Sequence, residues 1–177
     1  GDAMSIWFSQ SLKSGEVRLI DYYEASGEGF PHYASVLQQR GYVYGQHWAP
    51  HDIEVRELGS GRSRLEVAGG LGIKFRIVPR LHGAVGQEVE DGIHAVRMLF
   101  PRCYFDAARC QPGLEALQHY RRDYNTRINE FKATPVHDWS SHAADAFRYL
   151  AVALNEVREV REIAPPSLPM VGFGHAG

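Results

Sequence analysis

An aspartate stands near the start of a segment that otherwise has the pattern of a buried helix. The segment, residues 136–154, reads VHDWSSHAADAFRYLAVAL, and in its last twelve residues only Asp145 and Arg148 are charged. A helix with so few charges packs inside a protein, and a carboxylate that it carries there needs a partner. One candidate partner is Arg148, three residues further on, together with a helix N-terminus capped by Ser140 or Ser141. The other candidate is a metal ion.

Two further carboxylates lie next to predicted strands. Asp52 directly follows the predicted strand YVYGQHWAP, and Asp2 stands at the head of the first strand. If Asp2, Asp52 and Asp145 converge, their oxygen atoms suit Mg²⁺ or Mn²⁺. Two such ions about 4 Å apart activate a water molecule and stabilise the leaving oxygen when a phosphodiester is cleaved. The three carboxylates therefore indicate a candidate site for metal-dependent hydrolysis.

Histidines and aspartates form two clusters that indicate a competing chemistry. Imidazole together with carboxylate is typical of zinc sites and of mixed dinuclear hydrolases. The spacings do not fall on a single predicted helix, so this pattern is less specific than an HExxH motif, and a single histidine is more often a hydrogen-bonded core or surface residue. The members are His47, His51 and Asp52 in one cluster, and His137, Asp138 and His142 in the other.

The order of the predicted elements is that of a layered α/β domain. Two antiparallel strands joined by the short turn LKSG open the chain, and a helix that ends at Gly41 follows. Strands and helices then alternate as YVYGQHWAP, a short helix in a polar stretch, IKFRIVPR, GQEVEDGIHAVRMLF, RCYFD, GLEALQHYRRDY and the last helix. This order predicts parallel later strands and helices that cover the sheet. We expect one domain over residues 1–163 and a loose tail, rich in Pro and Gly, over 164–177.

Composition and motifs exclude several classes of protein. With 177 residues, 44% hydrophobic and 23% charged, the chain has the composition of a soluble cytosolic domain, and no apolar run is long enough to imply a membrane partner. It lacks the GxxxxGK[ST] loop of ATPases and the GxSxG elbow of serine hydrolases, and two cysteines are too few for a disulfide framework. Between Gly61 and Lys132, twelve Lys or Arg stand against eight Asp or Glu, and this basic middle suits a partner that contains phosphate.

Five stretches of the chain carry a resemblance to a known family. RLIDYYEASGEG, YVYGQHWAPHD, KFRIVPR, CYFD and above all PVHDWSSHAADAFRYLA resemble the C-terminal nuclease domain of the large terminase subunit of tailed bacteriophages and prophages. The match covers roughly Asp2 to Ala153 in the family's order. It implies an RNase H-like mixed sheet flanked by helices. It also implies an endonuclease, dependent on Mg²⁺ or Mn²⁺, that cuts concatemeric double-stranded DNA during packaging in the host bacterial cytoplasm.

The resemblance also implies roles for individual residues. Asp52 corresponds to the carboxylate after the central strand and Asp145 to the one on the last helix, with His142 as a neighbour that replaces or assists a metal ligand. Relatives have another Asp shortly before the position of Asp2. We therefore expect the chain to begin just after a principal ligand, Asp2 to be auxiliary, and the fragment to fold yet bind metal weakly and cleave DNA poorly. The arginines expected near DNA phosphates are Arg76, Arg80, Arg121 and Arg122.

Three hypotheses of function follow from these observations. The first is a two-metal endonuclease domain; in full-length relatives an ATPase motor domain precedes it, and the small terminase subunit and the portal are its further partners. The second is a zinc-type metallohydrolase. The third is a non-catalytic module that binds DNA or docks to a partner on the same fold. The histidines that the second hypothesis requires are His47, His51, His137 and His142.

Overall fold

A mixed sheet with helices packed against it is the main feature of the fold. The computed structural model describes residues 3–78, 87–132 and 134–163. The sheet has three strands in the order β1 (Ala3–Ser11), β2 (Val17–Ser26) and β5 (Cys103–Phe105), and two short two-stranded pairs accompany it. The α/β class and the antiparallel opening strands are thus as predicted. Three earlier predictions fall outside the described residues, namely the roles of Asp2 and Arg80 and the tail over 164–177.

The opening hairpin is confirmed in both its strands and its turn. Strand β1 (Ala3–Ser11) pairs antiparallel with β2 (Val17–Ser26), with Trp7 opposite Tyr22. The turn needs Gly15, whose φ of 89° lies in the left-handed region that favours glycine. Alternating side chains point to opposite faces of the hairpin, so each face can bury its own apolar set.

Helices α1 and α2 cover one face of the hairpin. Helix α1 (Phe30–Arg40) ends at Gly41, which adopts φ 66°, as the sequence predicted. Helix α2 (Arg64–Gly70) begins with a capping box in which Ser63 and Glu66 bind each other's backbone N–H groups. The apolar side chains that meet on this face form one core cluster: Phe8, Ala34, Leu37, Ala68 and Ile73.

The next strand is shorter than predicted. Strand β3 (His47–Ala49) pairs in parallel with β4 (Phe75–Ile77), but residues 42–45 do not join it. Their two tyrosines bind elsewhere, because the Tyr42 hydroxyl donates to Asp21 at 3.2 Å and the Tyr44 hydroxyl to the Leu37 carbonyl at 2.8 Å. After β3 the chain enters a 3₁₀ turn over His51–Glu54, which the sequence did not predict.

The second half of the chain supplies three helices and the third strand of the main sheet. Strand β5 runs parallel to β2. The last helix, α5 (Trp139–Ile163), packs against α3 (Gln87–Leu99) and α4 (Gln111–His119) and against strands β1 and β3. The predicted extension of α4 through Tyr124 is wrong, because α4 ends at His119 and a small antiparallel hairpin, β6–β7, follows. The bounds are α3 Gln87–Leu99, β5 Cys103–Phe105, α4 Gln111–His119, β6 Tyr124–Asn125, β7 Glu130–Phe131 and α5 Trp139–Ile163.

Trp7 joins the sheet to helices α4 and α5, which pack on the face of the sheet opposite α1 and α2. Its indole N–H donates to the carbonyl of Ala143 on α5 at 3.0 Å, and its ring contacts Phe147 at a centroid distance of 5.3 Å. The buried hydrophobic side chains of α5 are alanines and one phenylalanine, Phe147, as expected from the apolar pattern of the segment. In the ranges that the structure describes, no helix combines the length and the apolar character needed to span a membrane.

Candidate metal centre

The N-terminus of α5 is capped by an aspartate rather than by a serine. Asp138 Oδ1 accepts hydrogen bonds from the Ser140 backbone N–H at 2.9 Å and from the Ser140 hydroxyl at 2.6 Å. These bonds, and then the Arg121 guanidinium at 2.9 Å, lower the pKa of Asp138. The predicted caps, Ser140 and Ser141, instead lie in the first turn, because the helix begins at Trp139. Asp138 therefore has a structural task that the sequence analysis did not give it.

Asp145 has the arginine partner that the spacing predicted. Nη2 of Arg148 lies 2.5 Å from Oδ1 of Asp145. The aspartate side chain is 38% exposed, so it is not buried as we expected, whereas Arg148 is only 14% exposed. Within the described ranges, no hydrogen bond reaches Oδ2 of Asp145. One carboxylate oxygen is thus engaged and the other is open to a further ligand.

Helix α3 contacts the buried stem of Arg148. Gly92 lies so close that a β-carbon there would be 3.3 Å from both Cδ and Nη1 of the arginine. Nε of Arg148 is buried and has no hydrogen-bond partner among the described residues. The guanidinium is therefore held by packing against α3 and by its bond to Asp145.

Charges from three separate elements act on one tyrosine of α5. Burial raises the pKa of the Tyr149 hydroxyl, Arg148 lowers it, and the carboxylates of Asp52, Asp145 and Glu88 raise it further. Asp52 is exposed on the 3₁₀ turn that follows β3, and α5 packs against β3. Asp52 and Asp145, which are far apart in the chain, thus both lie within electrostatic range of the Tyr149 hydroxyl.

Glu88 was not identified from the sequence. It lies in the first turn of α3, and its charge reaches the same hydroxyl as those of Asp52 and Asp145. An acidic residue in the first turn of a helix is ordinarily explained by the helix dipole, so its type gave no separate signal. The order of elements was the available indication, because α3 follows the strand that pairs with β3.

The histidines remain in local contacts with their neighbours. The rings of His137 and His142 lie 5.6 Å apart at their centroids. His47 packs against the rings of Tyr44 and Phe75, and burial lowers the pKa of His47. Across residues 3–78, 87–132 and 134–163, no three His, Cys, Asp or Glu side chains are grouped closely enough to hold a metal ion.

The carboxylates suit a hard cation that needs few protein ligands. Mg²⁺ is commonly held by one or two carboxylates, with water and substrate phosphate completing its coordination. Asp52 is exposed and Asp145 has one oxygen without a hydrogen bond among the described residues, so each carboxylate is accessible as a ligand for such an ion or Mn²⁺. A closed three-ligand site is not present in the part of the chain that is described.

Arg76, predicted near phosphate, lies at the edge of the short parallel pair. Its guanidinium carbon lies 4.9 Å from the centre of the Trp48 ring, and its Nη2 lies 3.2 Å from Oε1 of Glu156. The arginine is exposed, and the partners on both sides hold its side chain along β3 and α5. This arrangement holds one exposed guanidinium beside β3.

The other two described arginines also have carboxylate partners. Arg121 pairs with the capping residue Asp138, and Arg122 pairs with Glu90 of α3. These partners are distant in sequence, so the pairs had no sequence signal. A phosphate group would have to displace or share these carboxylates. The role of Arg121 and Arg122 in DNA binding stays a prediction.

Comparison of the chain with protein-family models, with curated proteins and with solved structures found no match. The candidate site consists of Asp52 and Asp145 on two elements, together with Glu88 and Tyr149, whose hydroxyl pKa the three carboxylates raise.

Proposed function

We propose that the chain is a metal-dependent endonuclease domain with an RNase H-like fold that cleaves double-stranded DNA, with Mg²⁺ or Mn²⁺ as its cofactor. The observation that carries the proposal is the packing of α5, which carries Asp145, against β3, the strand that directly precedes the turn with Asp52; the charges of both carboxylates raise the pKa of Tyr149. The resemblance to terminase nuclease domains supports it and adds the biological setting. In that setting the substrate is concatemeric DNA, and the partners are an ATPase motor domain, the small terminase subunit and the portal.

The proposed division of labour begins with the carboxylates. Asp52 and Asp145 hold the cations, and His142, Asp2 and Glu88 are the candidates to complete the site. Divalent cations in such sites activate water and neutralise charge on the leaving oxygen of a phosphodiester. The protein's contribution is to fix one acidic ligand on α5 and the other on the turn that follows β3, a strand against which α5 packs.

Tyr149 has a distinct role in this proposal. The negative charges around it and its burial both favour the protonated hydroxyl, so it remains a hydrogen-bond donor at neutral pH. A donor among carboxylates can bind a phosphate oxygen that approaches the cations. We therefore assign Tyr149 to substrate orientation rather than to proton abstraction.

The flanking arginines provide the contact with the DNA backbone. Arg76 lies over Trp48 at an exposed edge, where phosphate can share its guanidinium with Glu156. Arg80, Arg121 and Arg122 are proposed to act in the same way. Such contacts recognise the backbone rather than the bases, so little sequence preference is expected.

The proposal is tested by substituting each ligand separately. Asp52→Asn and Asp145→Asn are expected to abolish Mn²⁺-dependent nicking of plasmid DNA. Glu54→Gln is the matched control, because Glu54 is an exposed acid on the same 3₁₀ turn as Asp52. Mn²⁺ binding is measured in parallel by electron paramagnetic resonance, so that loss of the ion is distinguished from loss of cleavage alone.

The same experiment separates the alternatives. Zinc that is retained on purification, with no response to added Mg²⁺ or Mn²⁺, would favour the zinc-type metallohydrolase. DNA binding that persists in both Asn variants, with no cleavage by the wild-type protein under any metal, would favour a non-catalytic DNA-binding or docking module.

A further inference from the structure

We propose that Arg148 is a positioning residue that fixes Asp145 through Oδ1 and leaves Oδ2 available to a divalent cation. This inference rests on the proposed function of the site, because it concerns how one of the proposed ligands is held. It adds a residue that neither binds metal nor contacts substrate in the proposal above.

The geometry of the pair is the first support. Nη2 of Arg148 donates a charge-assisted hydrogen bond to Oδ1 of Asp145. Within the described ranges, Oδ2 accepts no hydrogen bond, and the aspartate is exposed enough for solvent to reach it. A carboxylate that is held by one oxygen has a restricted orientation, and its other oxygen can bind a cation.

The burial of the arginine is the second support. An ion pair three residues apart on an exposed helix contributes only a few tenths of a kcal/mol and does not fix a side chain. Here Arg148 is only 14% exposed and Gly92 of α3 lies against its stem. A β-carbon at position 92 would lie 3.3 Å from the arginine, which would then have to shift by a few tenths of an ångström, so the packing of α3 on α5 restricts its conformation.

The absence of a second partner is the third support. Asp145 is the one carboxylate that pairs with Arg148 among the described residues, and Nε of the arginine has no hydrogen-bond partner there. Moving Asp145 away would leave a nearly buried cation without a counter-charge, which is strongly unfavourable. A bound cation is therefore expected to share Asp145 with Arg148 rather than to displace the arginine. Outer partners of this kind commonly set metal affinity.

The test measures Mn²⁺ affinity, which a purely structural ion pair would not change. In Arg148→Met the dissociation constant for Mn²⁺, followed by electron paramagnetic resonance, is expected to rise about tenfold or more. Arg148→Lys keeps the charge and is expected to recover part of the affinity. Cleavage by Arg148→Met is expected to need more Mn²⁺ for half-saturation, with a smaller change in rate at saturating Mn²⁺.

A second variant moves the arginine without removing it. Gly92→Ala places a β-carbon against Arg148 and is expected to weaken Mn²⁺ binding in the same direction, by less than Arg148→Met. Gly69→Ala is its matched control, because Gly69 is also helical but a β-carbon there meets no atom within 4 Å. This variant keeps the inference testable if Arg148→Met does not fold.

The outcomes distinguish this inference from the proposed function. Unchanged or tighter Mn²⁺ binding in folded Arg148→Met would overturn the positioning role while leaving the metal site intact. If instead the wild-type protein binds no Mn²⁺, or Asp145→Asn binds it as well as the wild type, both the site and the positioning role are overturned.

Discussion

Gly113 of α4 lies directly against the indole ring of Trp7. A β-carbon at position 113 would be 2.5 Å from Cη2 of that ring and 2.8 Å from the Tyr22 ring. Glycine is thus required for α4 to approach the sheet, and α5 contacts the same tryptophan through the Ala143 carbonyl. The closeness of these two residues sets how α4 packs on the sheet, beside the α5 helix that carries Asp145.

Gly113→Ala is therefore expected to destabilise the fold, although alanine favours a helix by about 1 kcal/mol over glycine. Overpacking of this kind costs about 1–3 kcal/mol, because both rings that would have to move are fixed by other contacts. Urea unfolding followed by circular dichroism measures the difference. Gly69→Ala, in an uncrowded part of α2, serves as the control and is expected not to lose stability.

The two cysteines are expected to react slowly with thiol reagents in the folded protein. Burial raises the pKa of Cys103 and of Cys110 to about 11, so the reactive thiolate is scarce at pH 8. Labelling by a disulfide reagent should accelerate as pH rises toward that value and become fast on unfolding in urea. Fast labelling of both thiols at neutral pH, without unfolding, would contradict the buried positions.

The Asp138 cap is expected to make stability depend on pH at the acid end. Hydrogen bonds from Ser140 lower the pKa of Asp138 in the folded state. The ionised Asp138 therefore contributes to the free energy of unfolding above the ordinary carboxyl pKa, and this contribution is lost as pH falls through the lowered value. The wild-type protein should therefore lose more stability between pH 6 and pH 3 than Asp138→Asn, which titrates no carboxyl there. Asp123→Asn, at a residue that directly precedes β6, is the control. An equal loss of stability in all three proteins would contradict the role of Asp138 as the helix cap.

Arg76 is expected to contribute to DNA binding through the phosphate backbone. Arg76→Ala should weaken binding to duplexes of different sequence by a similar factor and reduce the salt slope of the association constant by about one. Arg64→Ala provides a matched control, since Arg64 is another exposed arginine with a carboxylate partner, Glu57. If the salt slope of the association constant is the same in both variants, Arg76 does not contact the DNA phosphates.

Local signals in the sequence were sufficient for much of the fold. The turn at Gly15, the end of α1 at Gly41 and the apolar face of α5 depend on neighbouring residues, so they were predicted correctly. The length of β3 was not, because Tyr42 and Tyr44 form hydrogen bonds with residues that only the tertiary structure brings near.

The candidate site was predictable in its residue types but not in its contacts. The spacing of Asp145 and Arg148 indicated their ion pair, since partners three residues apart share a helix face. The approach of Glu88 and the pairing of Arg122 with Glu90 depend on how α3 packs, and no local pattern encodes that packing. Asp138 was grouped with His137 and His142 as a candidate ligand, whereas it caps the helix.

Locating a bound Mn²⁺ ion tests the central claim most directly. Crystals of the protein soaked in Mn²⁺ would show the ion by its anomalous scattering. We predict a peak in direct contact with carboxylate oxygens of both Asp52 and Asp145, with Arg148 still bonded to Oδ1 of Asp145. A peak elsewhere, or carboxylates of residues 52 and 145 too far apart to share one ion cluster, would contradict the metal-dependent nuclease.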